Sequence, residues 1–455
     1  MSIMDFSGKH FLVIGAGISG RAASLALAGH GGSVTLNDMK AIDTAEQPWP
    51  DMKAAGVKLV FGSQETSLLD GMDVVVPSPV ISPEIPIMKE AARRGLPIWS
   101  EVEVACRVTD ADMIGITGTN GKTTTTTLVG EIMKATGRQT VVGGNIGFGL
   151  SAQADNLPEE AVVVAELSSF QLEFTHSIKA KAATILNITP DHLDRHHTME
   201  GYAAAKERIF LNQDKGDYAV LNYDDERVRA MAVDMTGTVV YFSTCGEVPE
   251  GAFYQDGQLI LRLHGQDTVV CAETDLQLFG KHNIQNCLAA ILLTYAAGAP
   301  LDVIRQVLKE FKGVEHRLEK VRTIHGVTYY NDSKGTNVDA SMKALEAFPQ
   351  GHLILIAGGY DKKTPLDDFM ALAAKRVDTL ILIGDAAERF EAAAKKAGIQ
   401  DIRRTGYSME GAIMLARKIA KAPQAVLLSP ACSSFDMYDN FEQRGRVFKG
   451  IVNAI

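Results

Sequence analysis

Gly115-Ile116-Thr117-Gly118-Thr119-Asn120-Gly121-Lys122-Thr123-Thr124 closes the apolar run Met113–Thr117 and opens a helical stretch. In a strand, glycine turn and helix of this kind, backbone N–H groups point inward. Together with the helix N-terminus they form a cradle for phosphate oxygens. Lys122 is placed to neutralise β- and γ-phosphates, and the Thr123 hydroxyl is placed to meet Mg²⁺. The loop departs from the usual pattern in one respect. A glycine is expected five places before Gly121, and Ile116 stands there, so the motif is a G-T-N-G-K-T-T variant.

Outward from this loop, short β-branched runs alternate with alanine-rich helical stretches, the rhythm of an α/β protein with mostly parallel sheets. Before the loop lie His10–Ile14, Ser33–Asn37 and Asp73–Val76. After it come Ala161–Ala165, Ala182–Ile188 and Tyr218–Asn222, and then His352–Ala357, Thr379–Ile383 and Ala425–Leu428. A length of 455 residues exceeds one ordinary core, and about three domains are expected at ~100–200 residues each. We place the boundaries near residues 100 and 313. This gives a Rossmann-like first domain (1–100), a central P-loop-type ATPase domain (101–313) and a Rossmann-like last domain (314–455). The stretch Val239–Val270 breaks the rhythm with turn residues such as Asp256-Gly257 and Gly265-Gln266, and reads as a small antiparallel insertion.

A formal charge of −10 argues against sequence-independent nucleic-acid binding. Five scattered cysteines without a C-x-x-C pair fit a reducing compartment and exclude a disulfide framework or zinc ribbon as the main design. The longest apolar stretch, Cys287–Ala299, contains Thr294 and falls short of the ~20 residues needed to span a bilayer. A soluble, cytoplasmic protein without membrane insertion is expected.

Gly15-Ala16-Gly17-Ile18-Ser19-Gly20 matches G-x-G-x-x-G after a strand, and Asp38 ends the next strand. Such a turn brings a diphosphate to a helix N-terminus without specifying what the diphosphate carries. A dinucleotide and a UDP-sugar suit it equally, so an NAD(P)-dependent oxidoreductase stays open at this point. Glu166, at the end of Ala161–Ala165, and His192, past Ala182–Ile188, belong to strand ends expected on the edge that carries the phosphate loop. Beside ATP they are candidate Mg²⁺ ligands, although imidazole is an unusual one. Each also has an ordinary explanation as a turn cap or a loop residue. Lys206, flanked by Glu207 and Arg208 in the helical stretch Tyr202–Phe210, reads on residue chemistry alone as a surface lysine.

Taken together, these motifs resemble the Mur ligases. The likeness runs through Gly118–Thr124, Gly144–Gly147 (GNIG), Glu166–Glu173 (ELSSFQLE), Asp191–His196 (DHLDRH), His282–Asn286, His316-Arg317, Asp332–Asn337 (DSKGTN), Gly358–Lys362 and Ser429–Gly445 (SPACSSFDMYDNFEQRG). The DSKGTN and SPACSSFD stretches resemble the branch that joins D-glutamate to UDP-N-acetylmuramoyl-L-alanine at the expense of ATP. The resemblance implies ATP phosphates on Gly118–Thr124, adenine against Asn283 and Asn286, phosphates on Arg317 and ribose on Asp332. It implies a first Mg²⁺ on Thr123 and Glu166, and a second on His192 with a carbamylated Lys206. It places the UDP-sugar at Ile18, Ser19, Gly20, Asp38, Ser78, Pro79 and Asn145, with Lys40 where relatives often carry arginine. It places D-glutamate among Thr336, Lys362, Ser433, Ser434 and Phe441. Lys122, His192 and Lys206 are then the catalytic set, and a monomer is expected. A folylpolyglutamate-synthetase-like ligase shares this chemistry but does not need the complete first domain. A non-catalytic nucleotide-binding regulator would have little use for Lys122, Glu166, His192 and Lys206 together.

Overall fold

The computed structural model describes residues 4–278 and 280–455. They form a mixed α/β fold with three mostly parallel sheets. Two compact units are distinguished: residues up to Leu276 with His282–Phe311, and Gln277–Lys281 with Lys312–Ile455.

The first unit holds two sheets. The smaller is wholly parallel in the order β3-β2-β1-β4, from β1 (His10–Ile14), β2 (Ser33–Asp38), β3 (Lys58–Phe61) and β4 (Val74–Pro77). Its strands are apolar on both faces because helices cover both, which explains runs such as the fully buried Phe11–Ile14. The order reverses between β1 and β4, leaving a crevice beyond their C-terminal ends at Gly15 and Ser78.

The second sheet has nine strands in the order β13-β12-β11-β10-β9-β8-β5-β7-β6. They are β5 (Asp112–Thr117), β6 (Thr140–Gly144), β7 (Val162–Glu166), β8 (Ala182–Ile185), β9 (Tyr218–Asn222), β10 (Thr238–Ser243), β11 (Gly251–Gln255), β12 (Gln258–Leu263) and β13 (Gln266–Ala272). The stretch expected as a small antiparallel insertion in the central domain extends this sheet. Within the stretch, strands pair antiparallel as expected at β11–β12 and β12–β13, while β10 pairs parallel with both β9 and β11. Gly251 permits the join. Its φ is +138°, and a Cβ there would stand 1.9 Å from the Tyr241 carbonyl oxygen, so no other residue brings β11 against β10.

The run Ala182–Ile188 is shorter as a strand than its composition suggests. β8 ends at Ile185 because Leu186 and Asn187 turn to serve the phosphate loop. The Leu186 N–H donates to Thr117 O, and Asn187 O accepts from the Thr119 N–H.

In the second unit the order is β14-β15-β19-β16-β17-β18, from β14 (Glu319–Ile324), β15 (Val327–Asn331), β16 (Leu353–Gly358), β17 (Val377–Ile383), β18 (Ile402–Arg404) and β19 (Ala425–Leu428). Only β14–β15 is antiparallel. Asp332, Gly358 and Ser429 therefore leave adjacent strands at the same edge. No helix among the described residues is long and apolar enough to cross a membrane.

Candidate active site

The phosphate loop is held open by contacts that few substitutions would tolerate. Gly118 and Gly121 have φ of +148° and +87°, the region glycine enters without steric cost. A Cβ on Gly121 would fall 2.4 Å from Asn286 Oδ1. Asn187 locks the turn from the side, its Oδ1 accepting from the Asn120 N–H at 2.8 Å and its Nδ2 donating to Asn120 O at 3.1 Å. The helix Lys122–Ala135 begins directly after it. Asn283 and Asn286, the residues implied for adenine, are buried on the helix Lys281–Ala296 and bonded to each other at 3.1 Å. Asn286 Oδ1 also accepts from the Thr125 hydroxyl, so this helix supports the loop as well as lying beside it. A 440 Å³ recess adjoins Asn187 and is lined by Asn222, Asp224, Asp225 and Gln285 among others.

Lys206 is not on the surface. It is 1 % exposed, on the helix Met199–Glu207, which the Thr198 side chain caps through Gly201. The flanking charges Glu207 and Arg208 misled the sequence reading, because on a helix they face away from a neighbour one position along. The Lys206 ammonium donates to Gly118 O at 2.9 Å and Thr117 Oγ1 at 3.3 Å, and lies 4.6 Å from the Tyr202 ring centre. Lys122 donates to the same Gly118 oxygen, at 2.9 Å, and to Thr119 O at 2.8 Å. Burial, and then the charge of Lys122, push the Lys206 pKa well below the ordinary lysine value, while Asp191 and Glu166 pull the other way. A neutral amine is the form that can add CO₂.

Glu166 ends β7 beside β5 and is buried. Its Oε1 accepts from Asn145 Nδ2 at 3.0 Å, and its Oε2 is buried without a hydrogen-bond partner. An orphaned carboxylate oxygen next to a phosphate cradle suits a divalent cation. His192, in the left-handed region at φ 53°, takes different partners. It pairs with Asp191 at 3.4 Å and packs on Phe170 at 4.8 Å. Among the described residues no group of three or more His, Cys, Asp or Glu side chains is placed to hold a metal. Any cation here would depend on Thr123, phosphate oxygens or a modified Lys206.

At the smaller sheet, Gly15 has φ +99°, and a Cβ there would stand 2.6 Å from Ser78 Oγ. Gly20 would meet the Gly15 carbonyl at 1.9 Å. Asp38 braces the turn, accepting from the N–H groups of Ala16 at 2.8 Å and Lys40 at 2.9 Å. Ile18 stays exposed at the helix start, with Ser19 and Gly20 following on the same first turn of Ile18–Gly29.

In the second unit, Asp332 is 4 % exposed. Its Oδ2 accepts from Ser429 Oγ at 2.7 Å and its Oδ1 from the Leu318 N–H at 3.2 Å. Burial raises its pKa to about 6, against the opposing charge of Arg317. Lys362 Nζ donates to Thr336 O at 3.3 Å. Ser433 and Ser434 are buried. Arg444, which the sequence reading quoted only within a motif, is the hub beneath them at 1 % exposure. It donates to the carbonyl oxygens of Ser333, Cys432 and Ser433 and to Ser333 Oγ. Ser333 Oγ in turn donates to Phe441 O at 2.8 Å. The sequence neighbours Glu442, Gln443, Gly445 and Arg446 give no sign of the burial of Arg444.

The fold and this loop define an α/β protein with a P-loop-type nucleotide site. The chain belongs to the Mur ligase family: residues 116–294 match the Mur ligase middle domain and residues 316–432 the Mur ligase glutamate ligase domain. It is 46% identical over 453 residues to the UDP-N-acetylmuramoylalanine–D-glutamate ligase of Desulfitobacterium hafniense, covering 99% of this chain and 98% of that one. It is 43% identical to the enzyme of the same name from Pelotomaculum thermopropionicum, covering 100% and 99%. Among solved structures it is similar in fold to a pseudomurein peptide ligase type C of Methanothermus fervidus (TM-score 0.59, 21% identity, 98% and 100% covered). The UDP-N-acetylmuramate–alanine ligase of Thermotoga maritima is comparable (TM-score 0.58, 19% identity, 98% and 99% covered).

Proposed function

We propose that the chain is a cytoplasmic ATP- and Mg²⁺-dependent ligase that joins D-glutamate to UDP-N-acetylmuramoyl-L-alanine in the synthesis of peptidoglycan precursor. The observation that carries the chemistry is the convergence of Lys122 and Lys206 on the Gly118 carbonyl, beside the unpartnered oxygen of Glu166. The full-length likeness to D-glutamate ligases supports the choice of substrates. Residues 1–100 would hold the UDP-sugar, 101–313 the ATP phosphates and adenine, and 314–455 the amino acid and the ribose.

A carboxylate is a poor electrophile, so the reaction first makes it one. The γ-phosphoryl group passes from ATP to the alanyl carboxylate, forming an acyl-phosphate and releasing ADP. Lys122 offsets the charge gathering on the phosphoryl oxygens. The D-glutamate amine then attacks the acyl carbon and loses a proton, and the tetrahedral adduct expels phosphate to leave the amide. Thr123 and Glu166, and His192 with Lys206 as its carbamate, would hold Mg²⁺, which would supply charge neutralisation and electrophilic assistance. Asn145 aligns Glu166 through its amide, and Lys362 pairs with a carboxylate of the incoming amino acid. Thr336, Ser433, Ser434 and Phe441 enclose the rest of that amino acid.

The test is phosphate release from ATP and Mg²⁺ with UDP-N-acetylmuramoyl-L-alanine, comparing D-glutamate, L-glutamate and no amino acid. Release that requires both the UDP-linked substrate and D-glutamate is expected. Release with folate and L-glutamate instead, or none at all, would overturn the assignment.

A further inference from the structure

Arg195 gathers three otherwise separate segments of the first unit. Its side chain is only 11 % exposed. Two of its guanidinium nitrogens, Nε and Nη2, donate to Glu173 Oε2 at 3.0 and 2.8 Å. The third, Nη1, donates to the carbonyl oxygens of Pro79 at 3.2 Å and Ile81 at 3.0 Å. The guanidinium plane also lies 4.5 Å from the Phe170 ring centre.

Each partner leads to a different part of the site. The loop 78–81 is the far wall of the glycine turn, because the Ser78 hydroxyl donates to Gly15 O at 3.1 Å and the Ser78 N–H donates to Ile14 O. Phe170 and Glu173 belong to the segment that starts at Glu166 and is capped by Ser168. Arg195 itself lies on the short helix Leu193–His196, directly after His192.

We infer that Arg195 is a positioning residue that fixes the UDP-sugar loop relative to the Glu166 and His192 segments. It thereby sets where the substrate carboxylate stands with respect to the γ-phosphate. The inference rests on the ligase reading above. A planar fork that serves two directions at once is required for this, and a lysine provides only a single charged point. Placement errors of about 1 Å between reacting groups cost roughly 10²-fold in rate, so a residue that touches neither substrate still governs turnover.

The test uses the full chain with Arg195→Lys and Glu173→Gln, which disturb the junction from its two sides. Steady-state kinetics is run with each of the three substrates varied in turn. Calorimetric binding of UDP-N-acetylmuramoyl-L-alanine is measured without ATP. In both variants kcat/KM for the UDP-linked substrate is expected to fall by ~10²-fold, with KM for ATP and for D-glutamate unchanged and binding of the UDP-linked substrate weakened. A variant that is less stable to heat but keeps kcat, all three KM values and the calorimetric affinity would show a purely structural clamp and overturn the inference. A wild-type protein that binds the UDP-linked substrate but releases no phosphate would overturn the ligase reading alone, with the calorimetric comparison still deciding Arg195. A wild type that does not bind it overturns both.

Discussion

Lys122 and Lys206 donate to one oxygen, the carbonyl of Gly118, each from 2.9 Å. Two ammonium groups on one acceptor are electrostatically opposed, and burial deepens the conflict for Lys206. The arrangement is relieved when Lys206 is neutral or modified, or when anionic phosphate draws Lys122 away. Lys122→Ala should therefore leave the fold intact, because it removes one member of a repelling pair. It should lower turnover by ~10²-fold or more through loss of a transition-state donor. Phosphate release alongside circular dichroism checks both halves of this expectation.

Gly121→Ala tests the loop backbone itself. A left-handed φ costs a non-glycine residue roughly 1–2 kcal/mol, and the added Cβ would also strike Asn286 Oδ1. A lowered melting temperature together with loss of fluorescent ATP-analogue binding is the expected result. Unchanged nucleotide affinity would contradict the cradle geometry.

Asp332 carries a pH signature. Its pKa in the folded protein, about 6, lies above the ordinary 3.8, so the folded state holds its proton more tightly than the unfolded chain does. Its contribution to stability is then complete below about pH 4 and is lost as pH rises through about 6. A shift of about two units corresponds to roughly 3 kcal/mol. Urea unfolding at pH 4.5 and 7 should show this falling component, and Asp332→Asn should remove it.

Arg444→Met removes the guanidinium donors from the carbonyls of Ser333, Cys432 and Ser433 at once, and only Ser433 O keeps another donor, the Tyr360 N–H. Buried acceptors left unsatisfied cost about 1–3 kcal/mol each, so with Ser333 O and Cys432 O left bare a loss of at least ~2 kcal/mol is expected in the unfolding of the second unit. KM for D-glutamate should rise in whatever fraction stays folded. Calorimetric unfolding and amino-acid saturation curves measure the two effects.

The strands of the parallel sheets were legible wherever burial on both faces makes a continuous apolar run, as in His10–Ile14 and Tyr218–Asn222. Lys58–Phe61, Thr140–Gly144 and Ile402–Arg404 were not read as strands. They are short, lie at sheet edges, and carry charged or glycine residues. Glycine positions were informative because the chemistry of Gly118 and Gly121 is local. The burial of Lys206 was not legible, since it is decided by Thr117 and Gly118, 89 and 88 residues away in sequence. The same holds for Arg195 and Arg444, whose partners lie up to 116 residues away for the one and 111 for the other. In Val239–Val270 the antiparallel pairing of β11, β12 and β13 was legible from the turn residues, whereas the parallel join of β11 to β10, which Gly251 permits, was not.

The guanidinium beneath Ser333 and Ser433 has a consequence for how this region arises during folding. The loops it ties come from both ends of the second unit's sequence, and the carbonyls of Ser333 and Cys432 find their donor only when the C-terminal helix docks. The loops proposed to receive the amino acid are therefore shaped by this helix rather than by a ligand. On the proposed assignment, a chain truncated before Phe441 would lose amino-acid recognition along with the helix, and an amino acid entering the intact protein would meet walls whose ordering entropy was already spent.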